Sequence, residues 1–198
     1  MIKFTNLNQE TPYLNFKKKY DDALNANQKN IEAISISSYS KKLKEVNARF
    51  VNLKFIADKN FIFFSNYNSP KSYDFKEHNQ ITALVYWNST NTQIRMKAMI
   101  ERTPKEFNES YFLTRSEQKN ALSISSNQSE YIDSYESVKE KYLKSLEHDD
   151  LKKCPEFWGG YSFTPYYFEF WEGHESRLNK REAYKKSDDS WKHLILQP

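Results

Sequence analysis

Glycine is nearly missing from this chain, with three in 198 residues. That scarcity excludes a glycine-rich phosphate loop, and Ser123, Ser125 and Ser126 lack the glycines of a nucleophile elbow. Cysteine is scarcer still. The single Cys154 excludes an internal disulfide, and with His78, His148, His174 and His193 scattered it leaves no metal-ligand spacing, so no metal is expected. No apolar run approaches the roughly 20 residues that span a bilayer, and mean hydropathy is −0.91. Met1 to Asn6 has no signal-like apolar core, so the expectation is a cytoplasmic protein without a membrane partner. A large excess of one charge is also absent. Thirty basic and 26 acidic residues, spread along the chain, give a formal charge of +4, which argues against a nucleic-acid partner.

What the chain has is aromatic surface, 16% of residues, beside 28% charged residues. That is enough for a core, and the length suits one domain. Thr11-Pro12 reads as an N-cap and first helical position, and Tyr13, Phe16, Tyr20 and Leu24 recur on one helical face. Strand-like segments follow at Ile31 to Ser37, Val46 to Ile56 and Phe61 to Phe64, with a turn at Ala57 to Asn60. Ser69-Pro70-Lys71 opens a short helix to Lys76, and Ile81 to Trp87 and Gln93 to Glu101 form a further strand pair. From Thr103-Pro104 to Glu147 the pattern becomes helical, on Phe107, Tyr111, Leu113, Val138, Tyr142 and Leu146, around a polar loop Ser123 to Ser129. Strands return at Tyr161 to Phe170, Arg181 to Lys185 and Trp191 to Leu196, the last two about a turn Ser187-Asp188-Asp189. Strands outnumber helices and do not alternate with them as in a βαβ fold. The fold class expected is therefore mainly β (α+β), a barrel-like antiparallel sheet with peripheral helices.

All three glycines fall within fifteen positions, in Phe157-Trp158-Gly159-Gly160-Tyr161 and Glu169-Phe170-Trp171-Glu172-Gly173, followed by Arg177-Leu178-Asn179-Lys180-Arg181. Planar aromatics, bare backbone and fixed cations together suggest a flat, anionic ligand. Upstream, Arg49 and Lys54 stand five apart, so on a regular strand they point to opposite faces and one ligand hardly explains both. Lys71 follows a proline at a helix start, where an anion is favoured. Tyr111 and Arg115, four apart, share a helical face.

These pieces resemble the pyridoxine/pyridoxamine 5'-phosphate oxidases, FMN-dependent homodimers built on a split β-barrel. The resemblance rests on the C-terminal block with Pro198, and on Arg49-Phe50-Val51-Asn52-Leu53-Lys54 followed by Phe64-Ser65, Lys71, Gln93 and Gln128-Ser129. It implies a single FMN-binding domain over 1–198. Within it, 1–30 would hold the N-terminal segment and helix, 31–101 the barrel strands, 102–150 a helical excursion, and 156–198 the strands completing the site.

For FMN, the resemblance implies that Arg49 and Lys71 hold the phosphate, with Gln128 and Ser129 on the phosphate or the ring edge. Backbone from Val51 to Lys54 would run along the flavin with Phe50, Phe64 and Ser65 nearby, and Gln93, Trp171 and Arg181 would meet the ring. For the substrate, Lys54, Tyr111, Arg115 and Lys119 would bind a phosphate, and Arg177 with Asn179 would lie over the reacting ring as the catalytic pair. Gly159-Gly160 would serve strand entry and close packing. The implied reaction converts pyridoxamine or pyridoxine 5'-phosphate to pyridoxal 5'-phosphate, with O2 giving H2O2.

Three positions depart from the family pattern: Pro70 replaces an arginine, Lys119 a serine, and Asn179 a histidine. Asn179 keeps hydrogen bonding without imidazole's protonation chemistry. The alternatives are an oxidase acting on another ring compound, as in phenazine pathways, or a non-catalytic FMN- or pyridoxal-phosphate-binding protein.

Overall fold

The computed structural model describes residues 1–188 and 190–198. The expected turn Ser187-Asp188-Asp189 therefore lies partly outside the described residues, at Asp189. In chain order the elements are β1 (Lys3–Thr5), α1 (Thr11–Asn25), β2 (Ala33–Ser40), β3 (Glu45–Asn52), β4 (Phe55–Ala57) and β5 (Asn60–Asn66). There follow α2 (Pro70–Glu77), β6 (Gln80–Trp87), β7 (Thr92–Arg102), α3 (Lys105–Leu113), α4 (Glu117–Ser125) and α5 (Tyr135–His148). β8 (Trp158–Glu172), β9 (Lys180–Ser187) and β10 (Ser190–Ile195) complete the chain.

The strands form one sheet in the order β1-β4-β5-β8-β7-β6-β2-β3, with β9 and β10 branching from β8. All its pairings are antiparallel except β1 with β4. This is the mainly β split-barrel architecture, with helices at the periphery.

β8 makes the split possible. Its first half, Trp158 to Phe163, pairs with β5, and its second half, Tyr167 to Glu172, pairs with β9. β7 follows it on the other side from Tyr161 to Glu172, with a register shift opposite Lys97 and Ala98. The shift passes Tyr166 and accommodates Pro165, which has no N–H for a regular ladder. At its start Gly159 and Gly160 allow close packing: a methyl on Gly159 would overlap the Tyr67 hydroxyl and Asn108 amide. No described glycine has positive φ.

The core gathers Phe61, Phe63, Phe163 and Phe168 from the sheet, with Tyr13, Phe16 and Tyr20 from α1 laid across them. The buried stripe of α1 runs through Phe16 and Ala23, so Leu24 falls at its rim and is 37% exposed.

Several boundaries differ from the sequence reading. Glu10 occupies the cap of α1 in place of Thr11, and its carboxylate accepts from Lys186 and Trp191. The expected strand Val46 to Ile56 is broken after Asn52, and the N-terminal segment contributes an unforeseen strand, β1, beside β4. Ser123 to Ser125, expected in a loop, finish α4. Their hydroxyls return hydrogen bonds to Lys119 and Ala121 carbonyls four residues back, which lets serine stay helical. Phe112 is the buried apolar residue of α3, and Leu113 is 61% exposed. Among the described residues no helix is long and apolar enough to cross a membrane.

Replacing Gly159 with alanine is expected to destabilise the protein by about 1–3 kcal/mol, because the added methyl forces β8 away from Tyr67. Urea unfolding midpoints of the two proteins check this; equal midpoints would show that the strand can shift freely.

Candidate functional site

The break after Asn52 resolves the opposite-face difficulty. Arg49 and Val51 lie on edge strand β3, while Leu53 turns into the core and Lys54 leaves the ladder with its N–H bonded to the Ile62 carbonyl. Arg49 and Lys54 thereby line the same cavity, of about 840 Å3, which is walled by β3, β5, α3 and α4. Phe50, Val51, Asn52, Phe64, Ser65, Lys71, Tyr111, Arg115, Lys119, Gln128 and Ser129 also line it. Leu53 is the member of the 49–54 run that does not reach the wall.

The cavity cations form two groups. In the first, Lys71 follows Pro70 at the start of α2, where a proline without an N–H costs nothing. Its ammonium donates to Ser69 Oγ at 2.8 Å and to Ser65 Oγ and Gln128 Oε1 at 3.0 Å. Burial, with neighbouring Arg49 adding repulsion, pushes its pKa down to about 8. Arg49 reaches Ser38 Oγ at 2.7 Å, and that hydroxyl donates to Asp74 at 2.8 Å. Ser129 holds a left-handed φ of 72°, a backbone strain of the kind that collects at binding sites.

The second group is Lys54, Arg115 and Lys119. Burial lowers the Lys54 pKa, Glu32 opposes the shift, and Lys119 and Arg115 deepen it. The Arg115 guanidinium lies over Trp158 at 4.4 Å and donates to the Lys119 carbonyl and Ser123 Oγ. Trp158 stacks on Phe64 at 5.0 Å, and Phe64 on Tyr111 at 4.1 Å, so a continuous aromatic stack carries this cation. Glu32 is the one acidic side chain among the described lining residues. Two sets of cations, most of them partly desolvated, beside flat apolar surface are complementary to a planar ligand with phosphates.

The remaining expected residues stand elsewhere on the chain. Gln93, Trp171 and Arg181 form one row across β7, β8 and β9, directly opposite one another in register. Arg181 donates to Glu169 and to the Gln197 carbonyl. Arg177 lies in the turn between β8 and β9 with φ 60°. The Asn179 side-chain Oδ1 accepts from His174 N–H at 3.0 Å and so helps shape that turn. Within one chain, then, Gln93, Trp171, Arg181 and the expected catalytic pair Arg177 and Asn179 do not line the cavity of Arg49 and Lys54.

Sequence reasoning missed Trp158, Ser123, Asn66 and Glu32 as lining residues. Trp158 could have been found, since it precedes the two glycines of the aromatic block. Glu32 carries no local signal at all.

Comparison with known proteins adds to this geometry. A family model described as the pyridoxine 5'-phosphate oxidase C-terminal dimerisation region matches residues 158–198. The pyridoxine/pyridoxamine 5'-phosphate oxidase of Coxiella burnetii is 36% identical over 94% of this chain and 95% of its own length. That of Christiangramia forsetii is 35% identical over 96% of this chain and 89% of its own. Among solved structures, PhzG from Burkholderia lata, in complex with tetrahydrophenazine-1-carboxylic acid, superposes with TM-score 0.89 at 24% identity over 94% of this chain and 92% of that one. A pyridoxamine 5'-phosphate oxidase-related, FMN-binding protein from Nostoc punctiforme gives 0.76 at 12%, over 92% and 97%.

The protonated Lys71 favours anions, so the cavity's affinity for an inorganic anion such as pyrophosphate is expected to fall as pH rises through about 8. The loss between about pH 7 and pH 9 should approach tenfold if Lys71 is a main contact. Calorimetric titration at both pH values measures it, and equal affinities would remove Lys71 from the anion site.

Proposed function

The chain belongs to the pyridoxine/pyridoxamine 5'-phosphate oxidase family, and from that premise we propose that it oxidises pyridoxamine or pyridoxine 5'-phosphate to pyridoxal 5'-phosphate, with FMN as cofactor. The observation that carries this reading is the pair of cationic groups in one cavity. Lys71 and Arg49, with Ser65, Gln128 and Ser129, would hold the FMN phosphate. Lys54, Arg115 and Lys119, with Tyr111, would hold the phosphate of the vitamer. The donor set fits an FMN: a caged ammonium, a guanidinium and neutral hydrogen-bonding groups at one end, with β3 backbone and Phe64 alongside. Bound FMN would supply the redox chemistry, taking a hydride from the substrate and passing two electrons to O2, which with two protons becomes H2O2; water would hydrolyse the imine formed from the amine substrate and release ammonia.

The protein's own part is orientation and electrostatics. Fixing two phosphates at set positions would align two planar rings, and the aromatic stack supports the Arg115 guanidinium, which lies over Trp158. The row Gln93, Trp171 and Arg181, with Arg177 and Asn179, would come to each cavity from a second copy of the chain. The matched dimerisation region, residues 158–198, supports that reading, for it includes Trp171, Arg177, Asn179 and Arg181. Arg177 would lie over the substrate ring, and Arg181 would present a permanent positive charge to the flavin edge where negative charge develops on reduction.

Asn179 favours two other readings, because its side-chain Oδ1 is engaged by His174 N–H and it carries no acid-base group. A flavin oxidase of another ring compound, or a protein that binds FMN or pyridoxal phosphate without turnover, would suit that residue.

FMN-loaded protein given either phosphorylated vitamer is expected to produce pyridoxal 5'-phosphate and peroxide; product from neither defeats the leading reading, and binding without turnover supports the non-catalytic one. Arg49→Ala should weaken FMN binding by about 2 kcal/mol, roughly thirtyfold, by loss of a charged hydrogen bond. Arg177→Ala should leave flavin binding intact and lower kcat/KM by about a hundredfold. The reverse pattern, read by flavin fluorescence and steady-state kinetics, would show the two roles to be exchanged.

A further inference from the structure

Outside the cavity, a buried polar cluster centres on Glu169 of β8, which is 3% exposed. Its Oε1 accepts from Arg181 Nη2 at 2.8 Å and Nε at 3.2 Å. Its Oε2 accepts from the Tyr167 hydroxyl at 3.0 Å and from Arg95 Nη2. The remaining Arg181 nitrogen, Nη1, donates to the Gln197 carbonyl at 2.8 Å, and the Arg181 carbonyl accepts from Leu196 N–H at 3.0 Å. Every guanidinium nitrogen of Arg181 is thus engaged, and its direction is set by one carboxylate oxygen and the C-terminal backbone.

Register makes this arrangement bear on the site. Glu169 and Trp171, two apart on β8, share a face of the sheet, and Trp171 stands directly opposite Arg181. An isolated carboxylate at this depth would be expensive, and burial alone would raise its pKa. Hydrogen bonds from Arg95, Arg181 and Tyr167 more than reverse that shift. One carboxylate between two guanidiniums leaves a net positive charge.

We propose that Glu169 is a positioning residue for Arg181, holding its guanidinium beside Trp171 at the angle needed to meet the flavin ring, while Arg95 balances the carboxylate's second oxygen. This rests on the reading of Arg181 as a flavin contact. The geometry favours an orienting role because Oε1 is given wholly to Arg181, and Arg95, whose side chain is 39% exposed, could take water as its partner.

FMN dissociation constants and flavin midpoint potentials of the full-length protein and of Glu169→Ala and Glu169→Gln test it. The alanine variant removes both acceptors. It is expected to bind FMN more than tenfold weaker and to show a lower potential, since a cation no longer held at the ring stabilises reduced flavin less. Glutamine keeps one oxygen for Arg181 and should fall within threefold of the parent protein. A glutamine variant as weak as the alanine one would assign the effect to charge and overturn the proposal. Unchanged affinity and potential in the alanine variant would also overturn it. Should that variant not fold, Glu169→Asp decides, because it keeps the charge and withdraws the oxygen: several-fold weaker FMN binding supports the proposal and unchanged binding refutes it. If the parent protein takes up no flavin, the family-based reading fails first and the proposal with it.

Discussion

The hydrogen-bonding of β8 to three other strands is the constraint on which the rest of this molecule depends. A strand has two edges, so a third partner is possible only if its two halves differ. Here one edge runs along β7, and the other pairs first with β5 and then with β9. The first half carries Trp158 to the cavity, where Arg115 lies on it. The second half carries Trp171 into the row with Gln93 and Arg181, and Glu169 two residues before it. One continuous backbone therefore touches both the cavity and the row of Gln93, Trp171 and Arg181. The glycines at its start serve approach to Tyr67, Asn108 and Thr103 and have no positive φ to accommodate.

Around that frame the dominant chemistry is the desolvation of positive charge. Taking Lys71, Arg49, Lys54 and Arg115 partly out of water disfavours their charged forms, which is why each has a lowered pKa with burial as the largest cause. The protein offsets this with neutral oxygens at Lys71, a serine–aspartate relay at Arg49 and an aromatic face at Arg115. None of these except Asp74 is an anion, so the cavity keeps a strong field for one. At the other end of β8 the solution is opposite: Glu169 pairs with Arg95 and Arg181 and fixes their direction while one net positive charge remains. One region is built to attract an anion and the other to hold a cation still.

Much of the architecture was legible in the sequence. The period of Tyr13, Phe16 and Tyr20, the strand runs on either side of 88–91, and the proline at the head of α2 each specify local structure through local sterics and burial. Local signals failed where long-range pairing decided. β1 is three residues long and becomes a strand only because β4 offers it hydrogen bonds. The end of α4 is rich in serine, which reads as loop until the hydroxyls are seen bonded within the helix. Lys54 could not be aimed from its spacing to Arg49, because the chain leaves the ladder between them. Glu32 and Ser123 joined the cavity wall with no signal of their own.

By itself the sequence determined the family and the mainly β class, and it supplied the residue types of the site, because composition, periodicity and ordered motifs are properties of the chain. Only the tertiary structure decided which of those residues meet. Arg49, Lys54, Lys71, Tyr111, Arg115 and Gln128 converge on one cavity, whereas Gln93, Trp171 and Arg181 align on a separate row. Convergence depends on a strand break, a bulge and a forked strand, and each of these is set by the balance of backbone hydrogen bonds across the whole sheet.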